Sequence, residues 1–294
     1  MTSDDSTLVA VLGANGVYAR HLIPRLVARG YRVRALARRP EAAGVARACG
    51  ADVRIADLFD EASLCAALAG CDVGINLATS LPGPSGRGEY QANDRLRREG
   101  TPTWVRACRA AGVARVVQQS IAMVNAAAGD AWSDEDTVAS GVSDEVAARA
   151  IEAALSMEDA VRTSGLDALI LRGGLFYGPG TGFEDDWFSR ARAGKLRLPG
   201  DGDTFVSLVH VSDMAEATLS AVARWPGGRT LIVSDDRPAR WRELFSYVAQ
   251  VVGADAPTPG GRLGFPSFRV HNSRAREALD WKPHYGDFRA GLAR

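Results

Sequence analysis

One stretch near the start of the chain limits its fold more than any other. Leu8 to Leu26 reads LVAVLGANGVYARHLIPRL. An apolar run of strand length, Leu8 to Leu12, leads into a turn through Gly13, Ala14, Asn15 and Gly16. Val17, His21, Leu22 and Leu26 then recur at helical spacing. Gly13 permits the sharp turn, and Gly16 permits a close approach that a Cβ would block. Free amide N–H groups at the helix start would then face an anion, where the helix dipole favours negative charge. Ala19, small, lets helix pack closely on strand. Strand, glycine turn and helix in this order open a dinucleotide-binding unit, with Gly13, Asn15, Gly16 and Val17 as the expected phosphate contacts.

Composition narrows the field. The chain has 294 residues, enough for one large α/β domain or such a domain with a smaller lobe. Its formal net charge is zero, so nothing draws it as a whole to nucleic acid or an anionic membrane. No apolar run approaches the ~18 residues of a membrane span. The opening MTSDDST is acidic and polar, unlike a secretory signal, and a cytoplasmic location is expected. Cys49, Cys65, Cys71 and Cys108 lack metal-site or redox spacing, so no metal is expected and the thiols are read as reduced. Lys195 and Lys282 are the only lysines.

Residues 31 to 39, YRVRALARR, read as the second strand. Its end faces the adenosine ribose in folds of this kind, where an acidic residue selects NAD. Here Ala37 is followed by Arg38 and Arg39, whose guanidinium forks suit a 2′-phosphate, so NADP(H) is the expected cofactor. Residues 51 to 58 read as the third strand, 61 to 68 as a helix and 72 to 78 as a buried strand. Strand and helix patterns alternate to residue 171, which implies an α/β fold built on a doubly wound parallel sheet. Residues 1–174 are expected to form the Rossmann-type core. Residues 175–294 are expected to form mainly a small C-terminal substrate lobe, with 207–228 returning to the core.

The glycine turn, Asp57-Leu58 after the third strand and the strand ending in Leu77-Ala78 together resemble the extended short-chain dehydrogenase/reductases, the NAD-dependent epimerase/dehydratase type. ACRAAGVARVVQQS (107 to 120), LDALILRGGLFYGPG (166 to 180), LVHVSDMAEA (208 to 217) and the closing WKPHYGDFRAGL carry the likeness to the C-terminus. The resemblance implies that Asp57 meets the adenine and that Leu58, Leu77, Ala78 and Thr79 lie against the cofactor. It also implies Gly173 and Gly174 as backbone contacts at the nicotinamide.

The likeness breaks at the chemistry. That family uses a Ser or Thr, a Tyr, and a Lys four residues after the Tyr. Four residues after Tyr18, Tyr31, Tyr90, Tyr177, Tyr247 and Tyr285 stand Leu22, Ala35, Asp94, Thr181, Val251 and Arg289. By register the Tyr falls on Val146 or Ala150, the Lys on Ala150 or Ala154, and the Ser/Thr on Ile121, beside Ser120. Ser120 and Tyr177 are the remaining candidates for a catalytic hydroxyl, Ser120 also for a cofactor contact. Orientation can contribute ~7–11 kcal/mol, more than the ~10²–10⁴-fold of a positioned acid, so hydride transfer survives loss of the acid. An acceptor carrying its own acidic hydroxyl beside the carbonyl loses less still.

The leading expectation is therefore an atypical NADPH-dependent ketoreductase of a polycyclic aromatic ketone in antibiotic biosynthesis, similar to angucyclinone ketoreductases of the simocyclinone type. The proton would come from a substrate phenol or water. The alternatives are a non-catalytic NADP-sensing protein of the NmrA kind and a cofactor-bound cyclase or dehydratase. Met123, Trp187 and Phe188, in substrate-side insertions, are expected to meet a flat apolar ligand. The Gly- and Pro-rich loop 81–93 is expected to be a lid, and the acidic run 133–145 a solvated connection. The expected partner is this small aromatic ketone, with neither nucleic acid nor membrane, and the chain a monomer or homodimer.

Overall fold

The structure is a computed structural model, described for residues 7–82, 88–262 and 264–293. Strand β1 (Leu8–Leu12) pairs in parallel with β2 (Arg32–Ala37) on one side and β4 (Val73–Asn76) on the other. The sheet extends through β3 (Asp52–Ile55) beyond β2, and through β5 (Arg115–Ile121), β6 (Asp167–Gly173) and β7 (Thr230–Val233) beyond β4. All six pairings are parallel, and the order is β3-β2-β1-β4-β5-β6-β7. The order reverses at β1, which opens a crevice at the carboxyl ends of β1 and β4. Strands expected at 31–39, 51–58 and 72–78 are shorter than that reading. Beyond the ladder, Arg38, Asp57, Leu58, Leu77 and Ala78 line this crevice instead.

Successive side chains of β1 point to opposite faces, and both faces are covered. Val9 and Val11 pack with α1 (Val17–Ala28) and with a later helix described below. Leu8, Ala10 and Leu12 pack with α2 (Glu61–Leu68) and α3 (Thr101–Ala110) on the other face. Beside α3 on this face lies α4 (Glu145–Arg162), started by the Asp144 side chain, which accepts from Ala147 N at 2.9 Å.

The lobe is a separate apolar cluster built on α5 (Phe183–Arg192) and α7 (Trp241–Val251). Between them, α6 (Val211–Arg224) crosses back and packs on α1. The return to the core is larger than the expected 207–228. Strand β7 completes the sheet, and the helix Ser273–Leu279 buries Ala275 and Leu279 against the same cluster as α6. Three apolar residues in a row, Leu231-Ile232-Val233, buried on both faces explain why β7 belongs to the sheet.

The run 133–145 is exposed over much of its length, as expected of a solvated connection, but its first residues form a strap. The Glu135 carboxylate is 4% exposed and accepts from Ile232 N at 2.8 Å, because the β7 edge leaves that amide free. Trp132 stacks on His271 at 4.3 Å, and the Arg269 guanidinium lies 4.2 Å from the Trp132 ring. These contacts hold the excursion after β5 against the lobe. Among the described residues no helix is long and apolar enough to cross a membrane.

Candidate active site

The turn after β1 has the shape its sequence requires. Gly13 takes φ +80°, and a Cβ on it would stand 2.9 Å from Ala78 N and from Leu77 C and O. The turn is thus pressed against the β4 exit, which only glycine allows. Gly16 N donates to Gly13 O at 2.9 Å and begins α1. No side chain caps that helix and no acidic residue occupies its first turn. Its leading amides and positive dipole end are left for an anion from outside the chain.

Beside this turn lies a cavity of about 260 Å³. Gly13, Asn15, Gly16, Arg38, Asp57, Leu58, Leu77, Ala78 and Thr79 all line it. Four separate strand ends therefore converge on one space from residues far apart in sequence. Asp57 is held by its own turn, accepting from Phe59 N at 2.9 Å while its amide donates to Ser63 Oγ at 3.1 Å. The Asn76 side chain accepts from Ala78 N at 3.1 Å and donates to Gln118 at 3.0 Å, fixing the β4 exit. Arg38 is exposed at the cavity rim, and a 2′-phosphate there would meet a flexible, fully charged fork. An uncapped helix start, a glycine-only approach and a rim arginine fit the phosphates and adenosine of a dinucleotide.

Sequence reasoning missed two walls of this cavity. Phe59 and Arg95 line it, with the Arg95 guanidinium 4.5 Å from the Phe59 ring. Phe59 directly follows the Asp57-Leu58 pair, which was the available signal. Arg95 lies on the helix Tyr90–Arg95, which carries no motif. Arg39 is exposed but does not line the cavity, and Val17 sits at the start of α1 facing Gly180.

Other expected site residues are committed elsewhere. The Ser120 hydroxyl donates to Glu158 Oε1 at 2.6 Å. Glu158 is wholly buried and receives Arg172 at 2.9 and 2.6 Å, and also Arg162. Ser120 is thus one member of a buried ionic cluster joining β5, α4 and β6, not a free hydroxyl at the cleft. Tyr177 is fully buried, and its hydroxyl donates to Asp287 O at 3.4 Å. Burial, with Asp235 nearby, drives this phenol far above its usual pKa. It does not serve as an acid for a ligand in the cleft. A Cβ on Gly173 would meet Phe176, and one on Gly174 would meet the Ser207 carbonyl at 2.7 Å. Protein packing accounts for both glycines. Trp187 and Phe188 belong to the lobe's core at 5% and 1% exposure, so neither offers a ligand surface. Met123 is half-buried just past β5, at the rim of the lobe cluster.

On α4, Ala150 and Ala154 are both buried and Val146 is half-buried. Both lysines are exposed. Of the expected loop 81–93, residues 90–93 belong to the helix Tyr90–Arg95, and the described ends are tied by Glu89 N donating to Ser80 O at 2.8 Å and Ser80 N to Asn93 at 3.0 Å. Its residues 83–87 lie outside the described residues.

Comparison with known proteins agrees with this fold. Residues 13–224 fit the NAD(P)H-binding family model. A 3-diazoavenalumate denitrifying reductase from a Streptomyces species is 36% identical over 97% of this chain and 99% of that protein. A 4-hydroxy-2-methyl-3-oxo-4-farnesyl-3,4-dihydroquinoline-1-oxide ketoreductase from Stigmatella aurantiaca is 27% identical over 88% of this chain and 77% of that one. Among solved structures, MoeE5 in complex with UDP-glucuronic acid and NAD superposes with a TM-score of 0.79 at 26% identity, covering 97% and 96% of the two chains.

Proposed function

The chain belongs to the NAD(P)H-binding family, and from that premise we propose that it is an NADPH-dependent ketoreductase acting on a polycyclic aromatic ketone in a biosynthetic pathway. Its reductase relatives make it a nicotinamide-dependent reductase; the ketone, NADPH and the location in the cytoplasm are our reading. The observation that carries it is the pairing of a built nucleotide cleft with Val146 or Ala150, neither of which can give a proton, at the position on α4 where the family's Tyr would stand. A dihydronicotinamide held in this cleft would supply hydride for the acceptor's electrophilic atom: a carbonyl carbon, or a diazo-bearing ring carbon that would release dinitrogen. The protein's task is then binding and orientation. Gly13 and Gly16 would admit the pyrophosphate, the start of α1 would receive its charge, Asp57 would accept from the adenine, and Arg38 would pair with the 2′-phosphate. A phenol beside the ketone, or water, protonates the alkoxide.

The denitrifying relative favours a second reading, reduction of an aromatic diazo compound. Replacing dinitrogen by hydride asks no enzyme acid for a proton, which suits Val146 or Ala150 at that position. One experiment separates the readings. The protein is incubated with NADPH and either hydroxyanthraquinones or a hydroxybenzenediazonium salt, following nicotinamide absorbance and product mass. Gain of two hydrogens by the quinone supports the first reading, and loss of dinitrogen from the salt supports the second. NADPH left unconsumed in both refutes the enzyme.

A further inference from the structure

The helix that runs from Tyr90 toward α3 contains a π-turn, Leu96–Gly100. A π-turn holds one residue more than an α-turn and often marks a functional position. Its Arg97 is 6% exposed. The guanidinium makes one hydrogen bond, Nη1 to Ala150 O on α4 at 3.0 Å. Asp94 and Glu158 act on it only through space, and among the described residues no carboxylate pairs with it. Burial pushes its pKa down to about 10, so it stays a cation. None of its nitrogens is both fully enclosed and unbonded, so the free N–H groups reach solvent. A buried cation whose carboxylates act only at a distance, with none bonded to it, is costly to keep.

Its position shows what it serves. A helical carbonyl points toward the residue four ahead, so the guanidinium lies at the Ala150–Ala154 turn. Ala154 packs on Val124, next to Met123 at the β5 exit. That turn is where both register readings placed the missing lysine. We propose that Arg97 is a substrate-positioning residue that holds the ionised hydroxyl of a hydroxyaryl ligand at the β5 exit. This rests on the cleft's being the hydride-transfer site. Arg97 replaces the lost lysine's charge, not its proton chemistry, and the four remaining N–H donors suit a phenolate oxygen.

The test is spectroscopic and needs no turnover. The probe is para-nitrophenol, whose phenolate is coloured, titrated in the complex of the whole protein with NADP⁺. A cation ~4–6 Å from an acid lowers its pKa by roughly 1–3 units. The wild type is expected to lower the bound probe's pKa by about one unit or more. Arg97→Lys keeps the shift, and Arg97→Met, apolar and of similar length, abolishes it without lowering the melting temperature. An equal shift in wild type and Arg97→Met overturns the proposal, as does failure of the wild type to bind the probe. Failure of the hydride-transfer reading looks different: the shift persists while NADPH is not consumed by any acceptor.

Discussion

In the function proposed above, cofactor choice rests on Arg38. It lines the cavity at the end of β2, where no acidic side chain competes for a ribose hydroxyl. A charge-assisted hydrogen bond contributes ~1.5–3 kcal/mol. Arg38→Ala should therefore raise the Michaelis constant for NADPH about 10- to 100-fold and leave that for NADH nearly unchanged. Steady-state kinetics with both nucleotides checks this. His210 shows a second residue-scale effect. Its ring accepts from Ser212 N at 3.3 Å at the start of α6, and burial lowers its pKa from 6.5 to about 4. The unfolded chain takes up this proton near pH 6.5, whereas the folded chain resists until about pH 4. The stability His210 confers is complete above pH 6.5 and is lost as pH falls toward 4, to the extent of roughly 3 kcal/mol. Asp213 and Asp235, raised by burial, oppose this trend equally in any variant that keeps them. His210→Asn retains an acceptor for Ser212 N and should flatten the drop in melting temperature between pH 6.5 and 4. At this scale local chemistry was enough to bring Gly13, Arg38 and Asp57 to one cavity from the sequence alone. It misled at Ser120 and Tyr177, whose partners Glu158 and Asp287 lie 38 and 110 residues away.

At the scale of elements, two junctions hold the site. The first is the turn from β1 to α1 against the β4 exit. Gly13→Ala would place a methyl 2.9 Å from the Ala78 and Leu77 backbone at φ +80°. The left-handed conformation alone costs ~1–2 kcal/mol. Calorimetric scanning should show a melting point lowered by several degrees, and fluorescence titration an NADPH affinity reduced at least tenfold. The second is the buried cluster of Ser120, Glu158 and Arg172. Glu158→Gln leaves Arg172 without its charge partner and should cost ~3–5 kcal/mol in urea unfolding. The paired replacement Glu158→Leu with Arg172→Met should recover most of that loss. A cost equal to the single variant's would show that the cluster matters for more than charge balance. Element types were legible because their periods were strong: helix 61–68 was read to the residue, and β1 was read in full. The strap at the start of 133–145 was not. Its acidic composition reads as solvated, and only its proximity to Ile232 and Arg274 turns those charges into ties.

At the scale of the molecule, the fold was legible from one alternating pattern and one glycine turn, which fix a parallel sheet and the place of its crevice. The division between core and lobe was harder to see. β7 and the helix Ser273–Leu279 rejoin the core after long excursions, and apolar runs do not announce which cluster they will join. The same architecture explains how the chemistry could be pared away. In the proposed reading the nucleotide cleft rests on β1 to β4, whereas the family's acid would rest on α4, so Val146 or Ala150 can take its place without disturbing the cleft. The account therefore stands on whether that cleft holds a phosphorylated nicotinamide nucleotide. Isothermal titration of the intact protein with NADPH and with NADH decides it. One site per chain, with NADPH bound at least tenfold more tightly than NADH, is the expected result. Heat of binding from neither nucleotide would contradict it.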